Sequence, residues 1–288
     1  IRAVFDGVDH SRGSAPGNRS ILPQREAQQL QREKLPLVSR QKSLQAKLAK
    51  IRQLLPGDAI LKTAGKAEQI LVTGKHGKAL NAARTHASLP SKTVFHQPPL
   101  TVECWGLAHS RDRFNVFVSN NNKSSEHWEL YSFTGKGDFT VYMPSYEPAT
   151  IRSDVVITDG RWHYLAMQFD GRSVRLFVDG KQVRQQQVTR KRQPGPLGTL
   201  DLGAYSAEPV GCDGAVDDVR ISNTIRPINQ ASPAPFVADQ HTVGLWNFDT
   251  LKTDRFDDLS GRSAKSAQQS IAEQEQRLLA EMKTLAAK

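Results

Sequence analysis

The sequence predicts an all-β antiparallel jelly-roll sandwich inserted between two amphipathic helices. Three observations carry that expectation. Ten short runs rich in β-branched and aromatic residues fill residues 67–265, with no long helical period between them. Gly, Pro, Asn and Asp bound those runs, as turns between short strands require. Leucine-type residues recur at helical spacing on either side of this stretch.

Taken in order, residues 1–23 read as the end of a preceding domain or a linker. Residues 24–56 read as a helical arm. Leu30, Leu37, Leu44 and Ile51 stand seven apart, and Leu48 and Leu55 fill the second position of the last two heptads, the spacing of a helix that packs against one other helix. Pro36 is expected to break or kink this arm and Pro56-Gly57 to end it. The strand runs follow: ILVTGKHGKAL, TVECWGL, FNVFVSN, WELYSF, FTVYMP, RWHYLAMQF, SVRLFV, TLDLGAY, AVDDVRI and TVGLWNF. Asp170-Gly171 and Asp179-Gly180 supply the left-handed residues of two consecutive hairpin turns. Between them, Val174, Leu176 and Val178 face one side and Arg175 and Phe177 the other. In the second arm, residues 266–288, Ser270 and Glu273 have capping-box spacing and Ile271, Leu278, Met282 and Leu285 share a face. Isolated helices of this length are marginal in water, so the arms are expected to pair as an antiparallel coiled-coil hairpin.

The net charge of +10 is unevenly placed. Residues 1–66 carry 13 Lys plus Arg against 5 Asp plus Glu, or +8, leaving 26 against 24, or +2, for the rest. The β-region is thus nearly neutral, and the arm holds Phe5 and no other aromatic residue before Phe95 to stack on bases. A nucleic-acid partner is therefore not expected, and Arg190-Lys191-Arg192 reads as a loop tip. No apolar run is long enough to span a membrane, and the first thirty residues lack a signal-peptide stretch. The chain begins at Ile1 and stops inside a helical pattern, so it is expected to be part of something longer. Two cysteines, Cys104 and Cys212, exclude a Cys-rich zinc site and a CxxCH haem attachment within these residues. They fit either one disulfide between neighbouring strands or two separate buried thiols, the second being preferred. The eight histidines show no ligand spacing, and no Gly-rich phosphate loop leads from a strand into a helix.

GKHGKAL, TVECWGL, DGRWHYLAMQFDGRSVRLFVDGKQV and GCDGAVDDVRISNTIRP resemble, in that order, the strand signatures of laminin-G-like (concanavalin A-like) jelly-roll domains. TVGLWNFDTLKTDRFDDLSGRS is similar to the closing strand and DxSG turn of many bacterial members. The resemblance implies a fold that hosts lectins, adhesion modules, glycosidases and spacers. AVFDGVDHSR, residues 3–12, with the charged heptad helix behind it, resembles a junction in large planctomycete proteins where cytochrome-associated domains flank such an insertion. Asp9-His10-Ser11-Arg12 departs from that family's pattern. This second resemblance implies an extracytoplasmic parent in which haem would belong to other domains. It implies adjacent domains of the same chain as partners beside a carbohydrate or protein ligand.

Jelly-roll glycosidases commonly mount their carboxylates on one strand face as ExDxE or ExDxxE, and no such string occurs. The nearest pair, Glu126 and Glu129, has odd spacing that places the two on opposite faces of a strand. A non-catalytic binding module is therefore expected, with a structural spacer as the alternative and glycan cleavage as the least favoured reading. Laminin-G-like domains often hold calcium at the sandwich rim, which implies Asp213, Asp217 and Asp218 as ligands, with Asp112 and residues 119–125 as neighbours. The competing and preferred reading makes these aspartates turn and strand residues. Among the aromatics, Trp105, Trp162 and Trp246 are expected in the core. Trp128, Tyr131, Tyr142 and Tyr146 are left open as sugar-stacking groups, and the opposite parity of Trp128 and Tyr131 allows at most one of that pair to face the core.

Overall fold

The structure is a computed structural model and describes residues 35–36, 38–47, 57–62, 67–121, 126–232, 234–261 and 276–280. Residues 1–49 with 277–288 form one compact unit and residues 50–276 a second. In the first unit, residues 35–36, 38–47 and 277–280 are helical, so helical backbone is present on both sides of Pro36. Leu44 is buried while its described neighbours are exposed, as its heptad position requires. The remaining heptad positions, the capping box and the expected coiled-coil pairing lie outside the described residues, as does the 3–12 junction.

Among its described residues the second unit has twenty short strands: β1 Ala59–Leu61, β2 Leu71–Thr73, β3 Lys78–Leu80, β4 Ala87–Pro90, β5 Leu100–Ala108, β6 Asn115–Asn120, β7 Trp128–Ser132, β8 Asp138–Tyr142, β9 Tyr146–Glu147 and β10 Thr150–Val156. They continue with β11 His163–Phe169, β12 Ser173–Val178, β13 Lys181–Gln187, β14 Thr189–Arg190, β15 Thr199–Leu202, β16 Ala204–Tyr205, β17 Val210–Gly211, β18 Gly214–Ser222, β19 Thr242–Trp246 and β20 Arg255–Phe256. Two large sheets result. One runs β10-β8-β7-β6-β15-β4-β1-β20, and the other β13-β12-β11-β5-β18-β3-β2 with β19 also on β18. The paired strands are antiparallel throughout.

Alternation decides which side chains meet between the sheets. Trp128, Leu130, Phe139, Val141 and Leu200 of the first sheet share one core with Val102, Leu165, Val174, Leu176 and Val178 of the second. Phe177 points the other way, into a separate cluster with Trp105, Tyr164, Phe236 and Leu245 on the outer face of the second sheet. The two Asp-Gly turns form as expected. Gly171, Asp179 and Gly180 have φ of 97°, 52° and 80°, and β11-β12-β13 pair consecutively around them.

The β-domain begins earlier than residue 67. Ala59–Leu61 pairs with both β4 and β20, and the Gly57 amide donates to Asp258. Three residues beside a helical arm carry too little period to announce a strand. Several unanticipated strands are edges: β10 and β20 bound the first sheet, and β13, KQVRQQQ, bounds the second with mostly exposed side chains. An edge strand holds its place by backbone pairing and needs no apolar face. TLDLGAY splits in two because Gly203, at φ 86°, turns the chain between β15 and β16. Cys104 and Cys212 are two buried free thiols, both pushed well above the ordinary thiol range, first by burial.

Candidate functional site

An aromatic cleft lies on the outer face of the first sheet. Because Leu130, Phe139 and Val141 turn inward, Glu129, Tyr131, Asp138 and Tyr142 turn outward. Val116, Tyr131 and Tyr205 form a small buried cluster there, with Phe133, Tyr142 and Val210 against it. Tyr205 and Val210 come from the β16–β17 hairpin, which Asp201 holds onto the sheet. Fully buried, Asp201 accepts from Ser88 Oγ, from the Ser206 amide at 2.9 Å and from Ser206 Oγ at 2.6 Å. The resulting cleft has a volume of about 230 Å³ and is lined by Phe114, Val116, Glu129, Tyr131, Phe133, Tyr142, Thr150, Tyr205, Glu208 and Val210.

Behind the cleft His127 braces three of these groups. Its Nε2 lies 2.7 Å from Glu129 Oε1, and its ring meets Tyr142 and Tyr205 edge-on at 5.9 and 5.3 Å. Arg152 lies over Phe133 at 4.1 Å and bonds both oxygens of the buried Asp138. Burial, then the charges of Glu208 and Glu129, pushes the Tyr205 phenol up to about 12. Burial and Glu129 likewise raise Tyr131. The cleft is therefore an apolar box with negative potential.

Of the aromatics left open by sequence, Tyr131 and Tyr142 line this cleft and Trp128 does not. Trp128 is buried in the core, its Nε1 donating to the Phe95 carbonyl at 2.8 Å, so strand parity separates it from Tyr131 as expected. Tyr146 packs edge-on to Phe169 elsewhere. Glu126 precedes β7 and binds Arg190 at 2.5 Å, with His96 Nε2 3.6 Å from its other oxygen, while Glu129 faces the cleft. Sequence reasoning missed Phe114, Phe133, Tyr205 and Glu208, whose only signal is aromatic residues at outward parity and at a hairpin tip.

The rim aspartates do not form one group. Asp213 lies just before β18, where its carboxylate takes the Ser110 hydroxyl and its amide donates to Asn115 Oδ1 at 2.8 Å. Four residues of strand, about 13 Å, separate it from Asp217. Asp112 is exposed, and residues 119–121 sit at the far end of β6, about 17 Å from Asn115; residues 122–125 lie outside the described residues. Of the expected neighbours of Asp213, residues 119–121 are thus at the opposite end of a strand, while Asp112 lies in the loop between its partners Ser110 and Asn115.

Asp217 and Asp218 occupy a different niche. Along one edge of β18 the partner changes, from β3 at Val216↔Leu80 to β19 at Val219↔Trp246, and a bulge with Asp218 at φ 45° fills the break. Asp217 Oδ2 accepts the His76 amide at 2.9 Å and Oδ1 the Asp218 amide at 2.8 Å, while Asp249 accepts the Lys78 amide at 2.9 Å nearby. Both Asp218 oxygens are buried without a hydrogen-bond partner, and so are His76 Nε2 and Trp105 Nε1. Burial pushes Asp217 up to about 7. Burial and then the Asp217 charge push Asp218 up to about 8. A pair of desolvated carboxylates with two idle oxygens fits a hard cation in donor chemistry. Among the described residues, however, no group of three or more His, Cys, Asp or Glu is arranged as a coordination sphere.

No curated protein matches the chain. Solved structures similar to it include domain 4 of AbnA, a GH43 extracellular arabinanase from Geobacillus stearothermophilus, in complex with arabinotriose. That pair shares 17% identity over 57% of this chain and 76% of that one, with a TM-score of 0.45. Another is the Ruminococcus gnavus IT-sialidase CBM40 bound to α2,3-sialyllactose, at 12% identity over 44% and 76%, with a TM-score of 0.38. Such distant likenesses leave function to be argued from the site itself. The laminin-G-like family model described as the concanavalin A-like lectin/glucanases superfamily matches residues 81–231, just over half of the 288, and the chain belongs to that superfamily.

Proposed function

We propose that this chain is a non-catalytic carbohydrate-binding module whose site is the aromatic cleft of the first sheet. The observation that carries the reading is the convergence of Tyr131, Tyr142, Phe133 and Phe114 with two carboxylates in one open depression. Aromatic faces cover the apolar faces of sugar rings, and a few fixed polar groups orient the hydroxyls. Titration calorimetry of the intact chain against neutral oligosaccharides tests it. Binding is expected, and Tyr142→Ala should weaken it about tenfold or more, the equivalent of roughly 1.4 kcal/mol. Retained affinity in that variant would move the site elsewhere. Failure on every glycan class would favour a structural spacer, and hydrolysis of a polysaccharide would replace both with an enzyme.

A calcium ion at the β18 bulge is the supporting part of this proposal. Asp218, with Asp217 beside it, would hold the ion, and backbone carbonyls and water would complete an oxygen shell. The ion would compensate two carboxylates whose charge burial disfavours. We place the module outside the cytoplasm in a multidomain protein, on the resemblance of residues 3–12.

A further inference from the structure

We propose that the cleft selects sugars bearing a protonated amine, of the glucosamine type, over sugars bearing a carboxylate. The inference rests on the carbohydrate reading above and deepens it. The cleft offers aromatic faces, chiefly Tyr142, Phe133 and Phe114 beside the buried Tyr131 and Tyr205, together with Glu129 and Glu208, and no Lys, Arg or His lines it among the described residues. An ammonium over an aromatic face is attracted by the ring quadrupole, and a nearby carboxylate adds a charge-assisted hydrogen bond. The guanidinium of Arg152 is engaged face-on by Phe133 and by both oxygens of Asp138, and at Tyr131 it opposes the Glu129 charge without outweighing it. His127 engages Glu129 through Oε1 at 2.7 Å, which fixes the carboxylate and leaves Oε2 for a ligand. Burial first raises the Tyr131 and Tyr205 phenols, and the Glu129 charge, with Glu208 at Tyr205, adds to it. A uronic or sialic acid would have to bring its carboxylate into the field of those two carboxylates with no cation among the described lining residues to receive it.

The test uses the intact chain and oligosaccharides of equal length: chitosan oligomers with free amines, chitin oligomers with the amines acetylated, and oligogalacturonate, at mildly acid pH. Chitosan oligomers are expected to bind about tenfold or more tightly than chitin oligomers, and oligogalacturonate not measurably. The preference should shrink in high salt. It should also shrink in Glu208→Gln, which removes one of the two carboxylates of the cleft. Equal or tighter binding of chitin, abolished by Tyr142→Ala, would overturn amine selection while leaving the carbohydrate site in place. Absence of binding to all three would overturn both. Choline chloride serves as the sugar-free ammonium. Choline bound as tightly as the chitosan oligomer would overturn recognition of the sugar part.

Discussion

Glu103 shows how one residue can govern a whole face of the second sheet. Its side chain is 2% exposed, yet it is ringed by donors: Arg220 binds both oxygens at 2.9 Å, the Tyr164 hydroxyl donates to Oε1 at 2.6 Å, and Arg226 lies 3.6 Å from Oε2. Arg226 then reaches Asp239 through two further bonds, tying the 223–241 loop to β5 and β18. A buried pair of this kind contributes little relative to apolar residues of equal volume, but breaking it strands a charge. Glu103→Ala should therefore cost about 3–5 kcal/mol in urea unfolding. Glu103→Met with Arg220→Met should recover most of it. A loss below about 1 kcal/mol in the single variant would mean that solvent reaches Arg220 and that the pair is a surface one.

At the scale of elements, turns rather than strands fix the register. Gly135 and Gly180 share a φ of 80°, but they differ in surroundings. A Cβ at Gly135 meets nothing within 4 Å, whereas one at Gly180 collides with the backbone of Gln230, part of the loop laid over the second sheet. Gly135→Ala should cost about 1 kcal/mol, the left-handed penalty alone, and Gly180→Ala more than about 3 kcal/mol. Equal losses, measured by chemical denaturation, would show that the loop over Gly180 yields freely. The hairpins were legible because Asp-Gly pairs and alternation are local chemistry: SVRLFV sends Val174, Leu176 and Val178 inward just as its pattern says. The edge strand KQVRQQQ was not legible, since its conformation comes from pairing with β12 alone. The cleft was half legible. Strand parity separated Tyr131 from Trp128, but no local signal brings Tyr205 and Glu208 across from a hairpin seventy-odd residues further on. The aspartates of the first turns hid another convergence, for Asp159 and Asp179 both bind the His163 ring, at 3.1 and 2.8 Å. In AVDDVRI a strand's length separates Asp213 from Asp217, while a bulge puts Asp217 and Asp218 on one side, and neither separation is legible from residue spacing alone.

For the molecule as a whole, the decisive fact is where the β-unit begins and ends. Among the described residues, every buried member of its main core lies between Ala59 and Phe256. Its two ends also meet. The Gly57 amide donates to Asp258 Oδ2 at 2.8 Å, Asp258 Oδ1 accepts the Leu245 amide at 3.0 Å, and the Trp246 indole donates to the Gly57 carbonyl at 3.0 Å. Buried with Asp258 on one side and Lys92 nearby, this latch closes β1 against β20 and leaves entry and exit side by side. A domain with adjacent termini and a self-contained core can be inserted into another element at little topological cost. Residues 57–261 alone should thus fold cooperatively, with the near-UV circular dichroism of the full chain and a urea midpoint unchanged within error. Asp258→Ala in that same segment should lower the midpoint, because it leaves the Gly57 and Leu245 amides without their acceptor. A non-cooperative transition in the unsubstituted segment would mean that the helical residues supply stability the core does not, and that the insertion cannot stand without its flanks.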